Sequence, residues 1–81
     1  MSHIRDLKLG QLEGLRRSIS SLDSKAAIAI IALELKIYNK SDLSTLDVES
    51  IHQAAQDLKL YVTDLRIAKK QANDLNEELY G

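Results

Sequence analysis

Residues 46–80 read LDVESIHQAAQDLKLYVTDLRIAKKQANDLNEELY, and this stretch decides the architecture. Ile51, Ala54, Leu58, Tyr61, Leu65, Ala68, Ala72, Leu75 and Leu79 fall at alternating spacings of 3 and 4. That is the seam of a helix whose apolar residues repeat every heptad. Asp47 is suited to cap its first turn. Leu46 and Ile51, on either side of that cap, are placed to form a hydrophobic staple. Ser44, with Leu43 and Val48, offers a similar start one turn earlier.

The segment Asn39-Lys40-Ser41-Asp42-Leu43-Ser44-Thr45-Leu46-Asp47 precedes this helix. It is rich in Asn, Ser, Thr and Asp, whose side chains compete with helical backbone bonds and favour turns and caps. Upstream of the break, Leu12, Leu15, Ile19, Leu22, Ala26, Ala29 and Leu33 repeat the same spacing, and Ile37 follows four residues on. Ile4 and Leu7 lie on a slightly rotated stripe. Gly10 and Gly14 weaken the helix near its start, so a kink or fray is expected at Gly10. The expectation is one helical-hairpin domain over residues 1–81, with a helix over about 3–39, a turn over about 40–46 and a helix over about 47–80.

A turn centred on Leu43 makes facing residue numbers total about 86. Ala26 and Ala29 then face Tyr61 and Leu58, and Leu15 and Ile19 face Ala72 and Ala68. Leu12 meets Leu75, and Leu7 meets Leu79. Large residues meet small ones in the middle layers, as close packing requires. Charge agrees with the pairing. Residues 1–40 hold seven basic and four acidic groups, and residues 41–81 hold four basic and eight acidic groups.

The first helix carries more apolar surface than one partner covers. Ile28, Ile31, Leu35 and Tyr38 form a second stripe, with Ile30 and Ile37 between it and the seam. A helix that is apolar nearly all round is normally buried all round. The fold expected is therefore all-α: an antiparallel hairpin that dimerises into a four-helix bundle or docks on another protein. Ile28, Ile31, Leu35 and Tyr38 are the interface residues.

Composition narrows the function. The 81 residues include no Cys, Pro, Trp or Phe. Without Cys there is no disulfide framework, thiolate metal site or cysteine nucleophile. The net charge of −1 lacks the basic excess of a dedicated nucleic-acid binder. The start, Met1-Ser2-His3-Ile4-Arg5-Asp6, has no apolar secretory core. The longest apolar run, Ala26 to Leu33, is far below the roughly 20 residues of a membrane span. A cytoplasmic, non-enzymatic interaction module is expected: an adaptor, regulator, inhibitor or assembly chaperone. It needs no cofactor, and its partner is a second copy or another protein, not nucleic acid or membrane.

Two alternatives stay open. Glu49-Ser50-Ile51-His52 is a Glu-x-x-His, and Glu34 is placed to face His52. In a dimer, Glu34, Glu49 and His52 would be doubled, as in two-metal carboxylate bundles. Separately, residues 12–25, with Leu15-Arg16, Ile19 and Leu22-Asp23, resemble the first helix of the all-helical, AroQ-type chorismate mutases. The resemblance implies a helical dimer that rearranges chorismate to prephenate without a cofactor, with Arg16 gripping a substrate carboxylate. The family's second arginine on that helix falls at Leu33 here. Its middle helix has no counterpart, and Arg66 stands where a catalytic Gln or Glu belongs. The implied alternative is a degenerate relative.

Among the remaining groups, Arg16-Arg17 and Lys69-Lys70 are basic pairs, with Arg17 and Lys69 level across the hairpin. They read as solvated faces balanced by nearby acids. Glu77 and Glu78, at the unfavourable end of the helix dipole, predict fraying or a basic surface against them. Gly81 reads as a C-terminal stop.

Overall fold

The computed structural model describes residues 2–38 and 41–81. Among these the chain is all-helical: α1 (Ser2–Tyr38), a short 3-10 turn (Leu43–Thr45) and α2 (Val48–Tyr80). The helices pack antiparallel into a rod measuring 64 × 17 × 14 Å. The radius of gyration is 18.3 Å, against about 12 Å for a compact domain of this length. No described helix is long and apolar enough to cross a membrane.

Both heptad seams face inward. Leu12, Ala26 and Ala68 are buried, at 2%, 8% and 6% exposure. Leu15, Ile19, Leu22, Ala29 and Leu33 on α1 are half-buried, as are Ile51, Ala54, Leu58, Tyr61, Leu65, Ala72, Leu75 and Leu79 on α2. The alternating 3 and 4 spacing keeps one edge of each helix on its neighbour for the full length. Two helices alone cannot enclose that edge, so most seam residues keep one side in solvent.

The register follows the expected pairing, with one change at the open end. Lys8 Nζ lies 2.9 Å from Glu78 Oε2. Lys8 and Leu9 are half-buried, whereas Leu7 is 59% exposed and Ile4 60% exposed. Leu7 therefore does not close the hairpin against Leu79. The seam keeps its period back from Leu12 and reaches Lys8. The lysine stem lies along the apolar edge while its ammonium reaches out to the carboxylate. Lys36, at the other end of the α1 seam, is half-buried too.

α1 runs unbroken through Gly10, so the helix does not fray there. A Cβ built on Gly10 or Gly14 meets nothing within 4 Å. A glycine lowers helix stability by only about 1 kcal/mol relative to alanine, and the continuous seam outweighs that cost.

The turn resolves the two possible starts of α2. Asp47 is the N-cap, its side chain accepting from the Ser50 backbone N–H at 3.1 Å. Leu46 and Ile51 are both half-buried, as a staple requires. Ser44 instead sits inside the 3-10 turn, which Asp42 caps. Asp42 Oδ1 accepts from the Ser44 hydroxyl at 2.7 Å and from its backbone N–H at 3.1 Å. Those two bonds, the hydroxyl's first, hold the Asp42 carboxyl below its ordinary pKa. Asn39 and Lys40, where the first helix was expected to end and the turn to begin, lie outside the described residues.

α2 does not end bare. The Gly81 N–H donates to the Glu77 carbonyl at 2.8 Å. The basic start of α1 lies against this acidic end. Lys8 pairs with Glu78. Arg5 Nη1 comes to 3.5 Å from the Leu79 carbonyl, and its guanidinium stands 5.5 Å from the centre of the Tyr80 ring. Cations at a helix C-terminus oppose its negative dipole end, which answers the unfavourable placement of Glu77 and Glu78.

Candidate interaction face

The apolar stripe of α1 follows from its sequence and from the seam. α2 occupies the edge marked by Ala26, Ala29 and Leu33. At 3.6 residues per turn, Ile28, Ile31, Leu35 and Tyr38 then fall on the opposite side of the same helix. They are 66%, 56%, 63% and 81% exposed. Ile30 and Ile37 flank them and are exposed too. Within this stretch the only charged side chains are Glu34 and Lys36.

The four stripe side chains together offer on the order of 600 Å² of surface, taking ordinary areas for large apolar residues. The largest apolar patch on a typical monomer covers about 300–600 Å². Leu43 in the turn and Val48 at the start of α2 are also exposed, which extends the apolar character to the turn end of the rod. Sequence reading passed over both, because each lies beside a cap and reads as part of a staple. Leu60 and Ile67 on α2 are exposed as well. They stand two turns apart and form no continuous stripe.

The alternative sites do not converge within one chain. Glu34, Glu49 and His52 are all exposed. Among the described residues, no three His, Cys, Asp or Glu side chains gather closely enough to hold a metal ion. Arg16 and Arg66 are exposed, and Leu33 is half-buried in the seam. Arg17 turns along its own helix to Glu13, 3.5 Å away, with both side chains mostly in solvent. Lys69 and Lys70 are exposed.

Open grooves run along the hairpin. One is lined by Gln11, Gly14, Leu15, Ser18, Gln71, Asp74 and Leu75. Another lies between Lys25, Ile28, Ala29, Ala32, Ala54, Asp57 and Tyr61. The third, beside Ile4, Arg5, Lys8, Glu78 and Leu79, follows the ion pair at the open end. Each has a floor of seam residues and a rim of mixed polarity, with no nucleophile, base and orienting group brought together. The chain matches no family model, no curated protein and no solved structure.

Proposed function

We propose that this chain is a small non-enzymatic protein–protein interaction module acting in the cytoplasm as an adaptor, regulator, inhibitor or assembly chaperone. Its working surface is the α1 face of Ile28, Ile31, Leu35 and Tyr38. It engages a second copy or another protein by helix packing. The exposure of those four large side chains carries the reading: more than half of each is in solvent.

The surface area supports it. The chain exposes 6299 Å². A compact monomer of 9.1 kDa exposes about 4,900 Å². The excess, about 1,400 Å² per chain, is more than the roughly 800 Å² per partner that a standard interface buries. Small scaffolds are held together by disulfides, metals, association or unusually dense helix packing. This chain has no Cys, and among the described residues three apolar side chains are buried. A second copy on that face would bring four helices together and add burial that one hairpin lacks.

The test is absolute mass by light scattering over a hundredfold range of concentration, for the native chain and for Ile31→Glu with Leu35→Glu. We expect the native chain to exceed 9.1 kDa or to be polydisperse, and the double variant to be a monodisperse monomer. Unchanged mass together with unchanged stability in the double variant would remove the face from any role.

A further inference from the structure

α2 carries its charge in blocks. All four basic residues of the stretch 41–81 fall within residues 59–70, with Asp64 the one acid among them. Packing the seam against α1 turns one row of α2 outward: Gln56, Lys59, Thr63, Arg66, Lys70 and Asn73, at alternating spacings of 3 and 4. All six are exposed, and so is Lys69 beside them. Glu49 and Glu77 continue the row at its two ends and are exposed too. The row therefore has a basic centre between acidic ends. From Lys59 to Lys70 that centre is about 17 Å long, at 1.5 Å rise per residue.

The ion pairs among the described residues, Lys8 with Glu78 and Arg17 with Glu13, include none of these cations. The acids nearby are engaged or turned aside. Asp57 borders the hollow beside Lys59, but it accepts from Gln53 Nε2 at 3.1 Å. Asp74 lines a groove between the helices with Gln11 and Leu15. Asp64 lies one heptad from Asp57, on the same flank. Arg66 has Lys69 three residues on and Lys70 four residues on. Like charges at those spacings are neighbours on the helix surface and destabilise it, and an anion laid across them relieves the repulsion.

From this arrangement we infer that the outer face of α2 is a docking surface for a short acidic protein segment, a run of Asp and Glu carboxylates laid along Lys59, Arg66 and Lys70. The inference does not rest on the apolar face of α1, which is on the other helix. Charge complementarity names the occupant. Gln56 and Asn73 frame the cations with amides, which can both donate to and accept from a peptide backbone. The acidic ends set a limit of length. A longer polyanion, such as duplex DNA, would run off the basic centre onto Glu49 or Glu77. No aromatic ring stands in the row between Gln56 and Asn73 for a base to stack on. The net charge of −1 gives no long-range attraction for a phosphate backbone.

The test titrates the full chain with a short oligoglutamate at low ionic strength, followed by backbone-amide NMR. We expect shifts concentrated on Lys59, Thr63, Arg66, Lys70 and Asn73, and an affinity that falls as salt is added. Arg66→Gln with Lys70→Gln should weaken binding by about tenfold, roughly threefold for each exposed pair lost. Both sites are exposed and glutamine is a good helix former, so helix content by circular dichroism should hold. Arg16→Gln with Arg17→Gln removes the same charge from α1 and should leave the affinity nearly unchanged, which separates the row from the charge of the whole chain. Absence of binding, shifts centred on Arg5 and Lys8 at the open end, or equal losses in the two double variants overturns the inference. Duplex DNA binding more tightly than the oligoglutamate overturns the acidic segment as occupant and makes the row a phosphate-binding surface.

Discussion

The sharpest test of how this hairpin is held together compares two leucine truncations, Leu12→Ala and Leu35→Ala. Both remove the same atoms, about three methylene equivalents, worth about 0.8 kcal/mol each when fully buried. Leu12 is 2% exposed against α2, so its truncation removes the full transfer energy, about 2.4 kcal/mol, plus a cavity term. The expected loss is about 3–4 kcal/mol at any protein concentration. Leu35 is 63% exposed in the single chain. Only about a third of its transfer energy, about 0.9 kcal/mol, is realised inside the hairpin. The remaining 1.5 kcal/mol or so appears only on association. With two symmetric copies, that is about 3 kcal/mol per dimer, or about a hundredfold in the dissociation constant. Urea unfolding followed by circular dichroism, at two protein concentrations a hundredfold apart, separates the two cases. Leu12→Ala should lower the midpoint equally at both. Leu35→Ala should lower it mainly at the high concentration, where the native chain gains from mass action. If Leu35→Ala leaves the dissociation constant and both midpoints unmoved, the stripe is not an interface and the reasoning from its exposure fails.

Three smaller perturbations probe the local architecture. Gly14→Ala and Gly10→Ala each place a methyl where nothing lies within 4 Å, so each should stabilise the fold by about 1 kcal/mol, read as a higher thermal midpoint. Asp47→Ala removes the cap on the Ser50 N–H and should cost about 1 kcal/mol in urea unfolding, with Asp47→Ser recovering most of it. The Asp42 carboxyl, held low by Ser44, should titrate below an ordinary aspartate in carbon-detected NMR. Because its folded pKa is depressed, its contribution is complete above the unfolded value and is lost as pH falls through the folded one. Ser44→Ala removes the hydroxyl's bond and keeps the backbone one, so it should move the titration up toward the ordinary range and reduce that acid-side dependence.

The two seams were plain from residue spacing, because a heptad repeat over several turns leaves a helix one way to bury itself. The α2 start was equally readable, since Asp47, Leu46 and Ile51 form a cap and a staple together. The open end was not. Spacing among apolar residues pointed to Leu7, but the helix kept its period and placed Lys8 on the seam. A lysine stem carries apolar surface that a residue-type pattern does not record. Gly10 suggested a break for a similar reason: propensity acts locally, whereas the seam acts over the whole length of α1. The Asp42 cap on the 3-10 turn was hidden because Asp42, Ser44 and Asp47 all suit a cap, and only backbone geometry assigns them. For the face itself, the sequence indicated which four residues lack cover, and the structure adds how far they stand in solvent. Neither a single chain nor its spacing contains the surface that meets them.

The slender rod, with the start of α1 and the end of α2 side by side at one tip, has a mechanical consequence. Load applied across that tip would not stretch all layers of the seam at once. It would part Arg5 from Leu79 and Lys8 from Glu78 first, and then open the hairpin rung by rung toward the turn. Each rung contributes little, so peeling should proceed at low force and in small reversible steps. Load applied along the rod, from the tip to the turn, would instead have to break every layer together. The same protein is therefore soft to being unzipped and stiff to being sheared, and the first residues to let go are also the only described pair of opposite charges joining the two helices.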